Sequence, residues 1–76
     1  MIDKVERLDS LTKLRELYLQ YNYIERLEGL QTLTQLQKLD VSHNLIDSIP
    51  GSLMRKLKSL QVFRISSNHV SSVQIN

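Results

Sequence analysis

Cysteine is absent from the 76 residues, which excludes a disulfide framework and any thiolate metal site, and leaves no need of an oxidising compartment. Long apolar runs are absent too, since none approaches the roughly 18 residues of a membrane span. The first residues, Met1-Ile2-Asp3-Lys4-Val5-Glu6-Arg7, are charged at short intervals and lead into no apolar segment, so no secretory signal is expected. The expectation is a cytoplasmic protein with no membrane partner. Acid is missing from the last third of the chain: all eight Asp and Glu lie at or before Asp47, whereas Arg55, Lys56, Lys58 and Arg64 follow. Those four cations are few for nucleic acid, which is a disfavoured partner and would reveal itself by steeply salt-dependent binding.

Chemistry-bearing constellations are equally scarce. Gly29 and Gly51 each stand alone, so there is no glycine-rich phosphate loop. His43 and His69 fall on opposite sides of the asparagines they neighbour and are poorly placed to share a metal. No acid follows to orient His69 as a base for the nearby serines, Ser66, Ser67, Ser71 and Ser72. No catalytic, metal-binding or cofactor-binding residue is therefore expected, no cofactor is called for, and an enzyme is not the expected class.

What the sequence does have is repetition, the signal to seek before secondary structure. Leu14-x-x-Leu17-x-Leu19-x-x-Asn22 recurs as Leu36-x-x-Leu39-x-Val41-x-x-Asn44 and as Leu60-x-x-Phe63-x-Ile65-x-x-Asn68, with the asparagines 22 and then 24 residues apart. Between the first two units the apolar residues step by three, through Ile24, Leu27, Leu30, Leu33 and Leu36, and the same phase holds Ile2, Val5, Leu8, Leu11 and Leu14. A step of three advances about 300° around an α-helix, so five such residues leave no clean apolar face. The same step aligns in a turn-rich, 3₁₀-like segment that needs neighbours to cover it. The step of two at Leu17/Leu19, Leu39/Val41 and Phe63/Ile65 is that of a short strand with one face buried.

Together the two spacings predict an α/β repeat fold: a solenoid in which each coil makes one short parallel strand on the concave side, turns at an asparagine and returns through a convex segment. The recurring Asn22, Asn44 and Asn68 are expected to be structural, because an amide at a sharp turn can satisfy backbone groups that no ladder reaches. The chain divides into a partial repeat, 1–13, and repeats 14–35, 36–59 and 60–76, the last incomplete. In the longer unit, Leu53, Leu57 and Leu60 form a helical stripe after Pro50, predicting about two turns of α-helix with Ser52 as N-cap.

This pattern resembles the leucine-rich-repeat family, in particular its short class of about 22 residues per repeat, known from intracellular proteins such as the protein phosphatase 1 regulator and several ciliary and centrosomal proteins. The segment Ile49 to Val62, with Asn68 after it, is similar to the repeat region of centriolin. The resemblance implies a non-catalytic module that binds another protein on its concave strand face, in the cytoplasm and by extension at the centrosome or cilium. The rows expected to line that face are Glu16, Lys38 and Val62, then Tyr18, Asp40 and Arg64, then Gln20, Ser42 and Ser66, with Tyr21, His43 and Ser67 along the rim. Glu16 facing Lys38 and Asp40 facing Arg64 could instead satisfy each other's charges. Neither end shows a polar capping unit. The alternative reading is thus a building block or fragment of a larger centrosomal or axonemal scaffold, completed at its ends by further repeats or by self-association.

Overall fold

The computed structural model describes residues 1–70 and, for the backbone, 72–74. Ser71, Ile75 and Asn76 lie outside the described residues, as do the side chains of residues 72–74. In chain order the elements are β1 (Glu16–Tyr18), β2 (Lys38–Asp40), β3 (Ser48–Pro50), α1 (Gly51–Lys56), β4 (Val62–Arg64) and β5 (Ser72–Gln74).

The strands β1, β2 and β4 form one parallel sheet with β2 in the middle, where Lys38 pairs with Glu16 on one side and Val62 on the other, Leu39 with Leu17 and Phe63, and Asp40 with Tyr18 and Arg64. Residues of equal repeat phase therefore stand side by side. Ladder bonds carry the register beyond the strands: the Leu19 amide donates to the Asp40 carbonyl at 2.8 Å and the Val41 amide to that of Arg64 at 2.9 Å. Behind the sheet the three-residue step appears as tight turns, with Leu11 N–H donating to the Leu8 carbonyl and Leu14 to Leu11, each at 3.0 Å, and Leu33 to Leu30 and Leu36 to Leu33 in the next repeat at 3.0 and 3.1 Å. Bonds that skip three residues bring the apolar side chains onto one line, as the spacing required.

The core is a single cluster centred on the later half of repeat 14–35 and the first half of repeat 36–59. Ile24, Leu30, Leu33, Leu36, Val41 and Ile46 are fully enclosed. Their phase equivalents Leu8, Leu14, Leu19 and Ile65 are only partly buried, and so are Leu17 and Phe63 on either side of the enclosed Leu39. The gradient follows from stacking, because a middle repeat has apolar neighbours on both sides and an outer one has a neighbour on one side.

Two details depart from expectation. The helix is shorter than two turns, and its N-cap is Pro50, with no side-chain capping bond, in place of Ser52. Proline suits this position because it keeps the entry extended, at φ −69° and ψ 124°. Leu57 is the C-cap, its amide donating to the Leu53 carbonyl, and Leu57 and Leu60 then resume the tight-turn pattern at 3.2 Å, so the helical stripe covers only part of the predicted span. Second, β3 and β5 form a small parallel sheet of their own, Ser48 with Ser72, Ile49 with Val73 and Pro50 with Gln74, which the sequence pattern did not reveal.

Candidate partner-binding face

The face opposite the core is built on a corner that recurs in every repeat. Just before each recurring asparagine the backbone turns left-handed, at Tyr21 (φ 61°), His43 (φ 58°) and Ser67 (φ 56°). Non-glycine residues occupy this region only where the surroundings over-determine it. Here the following asparagine does so. Asn44, 4% exposed, donates through Nδ2 to the carbonyls of Leu19 (3.0 Å), Val41 (2.9 Å) and Ser42 (3.2 Å), while its Oδ1 accepts the Ile24 amide at 3.0 Å. Asn68 repeats the arrangement one unit on, with Ile46 N–H as donor and the Val41, Ile65 and Ser66 carbonyls as acceptors. Asn22 accepts from Ile2 N–H at 2.9 Å and donates to Leu19 and Gln20. Each side chain thus closes its own turn and ties it to the preceding repeat.

The corners fix a row of side chains along the rim of the sheet. With the Tyr21 amide donating to the Ser42 carbonyl and the His43 amide to that of Ser66, Tyr21, His43 and Ser67 stand in adjacent repeats at one level. The rings of Tyr21 and His43 stack, centroids 4.3 Å apart and 6° from parallel. Beside them runs an open groove of about 490 Å³ along Gln20, Asp40, Ser42, Arg64 and Ser66, and a second hollow of about 260 Å³ lies between Tyr18, Lys38, Val62 and Arg64. The residues expected to form the binding surface, Glu16, Tyr18, Gln20, Tyr21, Lys38, Asp40, Ser42, His43, Val62, Arg64, Ser66 and Ser67, are on this side or its rim.

Their states differ from the simple outward rows. Tyr18 and Tyr21 are 54% and 64% exposed, but Ser42 is buried, because Gln20 and Ser66 flank it on both neighbouring strands and the Ser66 hydroxyl donates to its Oγ at 3.2 Å. The acids make local hydrogen bonds, in place of the cross-strand ion pairs that were the alternative to partner contact. Glu16 Oε1 accepts the Tyr18 hydroxyl at 2.7 Å, and Asp40 Oδ1 accepts the Ser42 amide at 3.0 Å. The bond to Glu16, followed by desolvation and the charge of Glu16, holds the Tyr18 phenol above its ordinary pKa of 10.0, against a smaller lowering by Arg64. Gln20 Oε1 is buried with no hydrogen-bond partner among the described residues.

The ring stack and the left-handed corners escaped the sequence reading. Tyrosine is not a residue type that signals positive φ, and only the phase before the asparagine could have marked those sites. Elsewhere, His69 lies on a different row, its amide donating to Ile46, and no group of three His, Asp or Glu able to hold a metal exists among the described residues. No helix among them is long and apolar enough to cross a membrane.

A family model described as Leucine Rich repeats (2 copies) matches residues 12–54 and again residues 34–76, the two matches starting 22 residues apart, as the first two asparagines are. The chain belongs to the leucine-rich-repeat family. Comparison with curated proteins finds no match. Leucine-rich repeats are in general modules of protein interaction, non-enzymatic in themselves, and their per-repeat rotation creates extended concave surfaces. In this leucine-rich-repeat chain the parallel sheet β1-β2-β4 is the element that would carry such a surface.

Proposed function

We propose that the chain binds another protein through the outward face of β1, β2 and β4, with Tyr18, Tyr21 and Arg64 as anchors. The observation that carries this reading is the pairing of two well-exposed tyrosines with a groove that Arg64 borders. Tyrosine and arginine are among the side chains most often found to dominate interface energetics, and here Tyr18 and Arg64 sit in paired strands and Tyr21 at an asparagine corner, so little backbone ordering accompanies contact. The cytoplasmic, centrosomal or ciliary setting of similar short-class proteins belongs to this proposal and rests on that resemblance. Binders selected from a displayed domain library against the folded chain test it. Tyr18→Ala and Arg64→Ala should each weaken such binders by roughly tenfold or more with an unchanged circular dichroism spectrum. Binding that instead tracks Arg55, Lys56 and Lys58 would move the site to the convex side and overturn the proposal.

A second reading has its own support. The partly buried Leu17, Leu19, Phe63 and Ile65 flank the enclosed middle repeat, and β1 and β4 are the outer strands of their sheet. These are surfaces on which further repeats or a second copy could stack, making the chain a building block of a scaffold. Under that reading Leu17→Asp disrupts concentration-dependent assembly and Tyr18→Ala leaves it intact.

A further inference from the structure

The rim row of the concave face is incomplete in a particular way. Tyr21 and His43 stack at 4.3 Å, close to the spacing of about 4.8 Å between neighbouring strands, so the ring normals run along the direction in which the repeats stack. The face of His43 away from Tyr21 is therefore turned toward the third repeat. The residue at that level there is Ser67, exposed and at the same left-handed corner, with only a hydroxymethyl group to offer. The chain's other rings are placed elsewhere: Tyr18 and Tyr23 belong to the first repeat, Phe63 packs on the core and His69 follows the asparagine.

We infer that the place above Ser67 is a slot for an aromatic side chain of the protein partner, which stacks on His43 as the third ring of the row. The inference rests on the concave-face reading and gives the partner's chemistry. Offset stacking onto an exposed ring is favourable for any aromatic side chain. A guanidinium could also stack, but Arg64 borders the same groove as His43, and the Asp40 carboxylate beside it already accepts the Ser42 amide, which disfavours a second cation at this site. The charge of Arg64 favours an acidic residue beside the partner's aromatic one, within its reach.

The test is a displayed library of random short peptides, selected on the wild-type chain and compared on Ser67→Tyr and Arg64→Ala. Tyrosine is tolerated at this corner, because Tyr21 already occupies the equivalent backbone conformation, so Ser67→Tyr fills the slot with the chain's own ring and leaves the fold intact. The expected result is enrichment of an aromatic residue next to Asp or Glu, with roughly tenfold weaker binding to Ser67→Tyr. A synthetic form of an enriched peptide should also shift the Ser67 β-proton resonances upfield. Absence of aromatic enrichment over the unselected library, or unchanged binding to Ser67→Tyr, overturns the slot. If the peptides still weaken on Arg64→Ala, the concave face stands and only the slot falls; if they respond to neither variant, both fall.

Discussion

The imidazole of His43 lies parallel to the phenol of Tyr21, with ring centroids 4.3 Å apart, although 22 residues separate them in the chain. The contact exists because each residue sits in a left-handed corner of its own repeat and the corners are in register. A double-mutant cycle of Tyr21→Ala and His43→Ala, read by urea unfolding, should give a coupling of about 0.5 to 1 kcal/mol, the lower part of the aromatic-pair range, since both rings are exposed. Strict additivity would mean the stack adds nothing beyond two separate side chains.

Asn44 should be the most sensitive of the three asparagines. It is the only one of them in the buried class and makes four hydrogen bonds, so Asn44→Ala strips the buried Ile24 amide of its acceptor and takes one of two donors from each of the Leu19, Val41 and Ser42 carbonyls. A loss of about 2 to 3 kcal/mol is expected, with a smaller loss for Asn22→Ala, whose side chain is partly exposed. Asn44→Asp should be no milder than alanine, because a carboxylate would face three carbonyl oxygens. Equal, small losses at both sites in chemical denaturation would contradict the role assigned to the corner amides.

Gly29 and Arg7 share a repeat phase and a left-handed backbone, at φ 75° and 64°. A Cβ on Gly29 would come to 2.9 Å from the Val5 carbonyl oxygen, so Gly29→Ala meets both the conformational cost and a backbone clash, and should lose about 1 to 2 kcal/mol or more. Arg7→Gly should have the opposite sign or be neutral, since it relieves the same conformation. Thermal unfolding of the pair checks both signs at once. Gly51, next in the series, shows positive φ no longer and begins α1 instead.

The Tyr18 phenol, raised by its bond to Glu16, gives a pH dependence of defined sign. A group with a higher pKa folded than unfolded stabilises the fold in full below the unfolded value, and the contribution fades as pH rises through the folded value. Any effect therefore lies above pH 10.0. Glu16→Gln should bring the Tyr18 pKa down toward its ordinary value, followed by NMR of the ring carbons. No movement would show that the hydroxyl bond is not what holds the proton.

Much of the architecture was legible in the residues. The step of three at Leu8, Leu11 and Leu14 became tight turns, and the step of two at Leu39 and Val41 became buried strand positions around β2. Spacing alone sufficed there because it dictates which side chains can be covered together. What it could not show depends on backbone conformation or on neighbours distant in the chain. The Tyr21 and His43 stack needs positive φ at both residues, and the burial of Ser42 needs the strands on either side. The carboxylates of Glu16 and Asp40 chose a hydroxyl and an amide two residues away over cations one strand across. Such near bonds require little additional ordering, whereas an exposed ion pair between long side chains gains about 0 to 1 kcal/mol. The β3 and β5 pair was hidden because Pro50 argues against a strand wherever a full ladder is assumed.

Where a partner touches the chain decides between the concave face and the other surfaces. Amide chemical-shift perturbation, with a selected binder titrated into isotope-labelled protein, reads this residue by residue. The predicted result is a cluster on Tyr18, Gln20, Tyr21, Asp40, His43 and Arg64, with α1 unmoved. Perturbations centred on Arg55 and Lys56, or on the outer core residues Leu17 and Phe63 with the concave row unchanged, would contradict it.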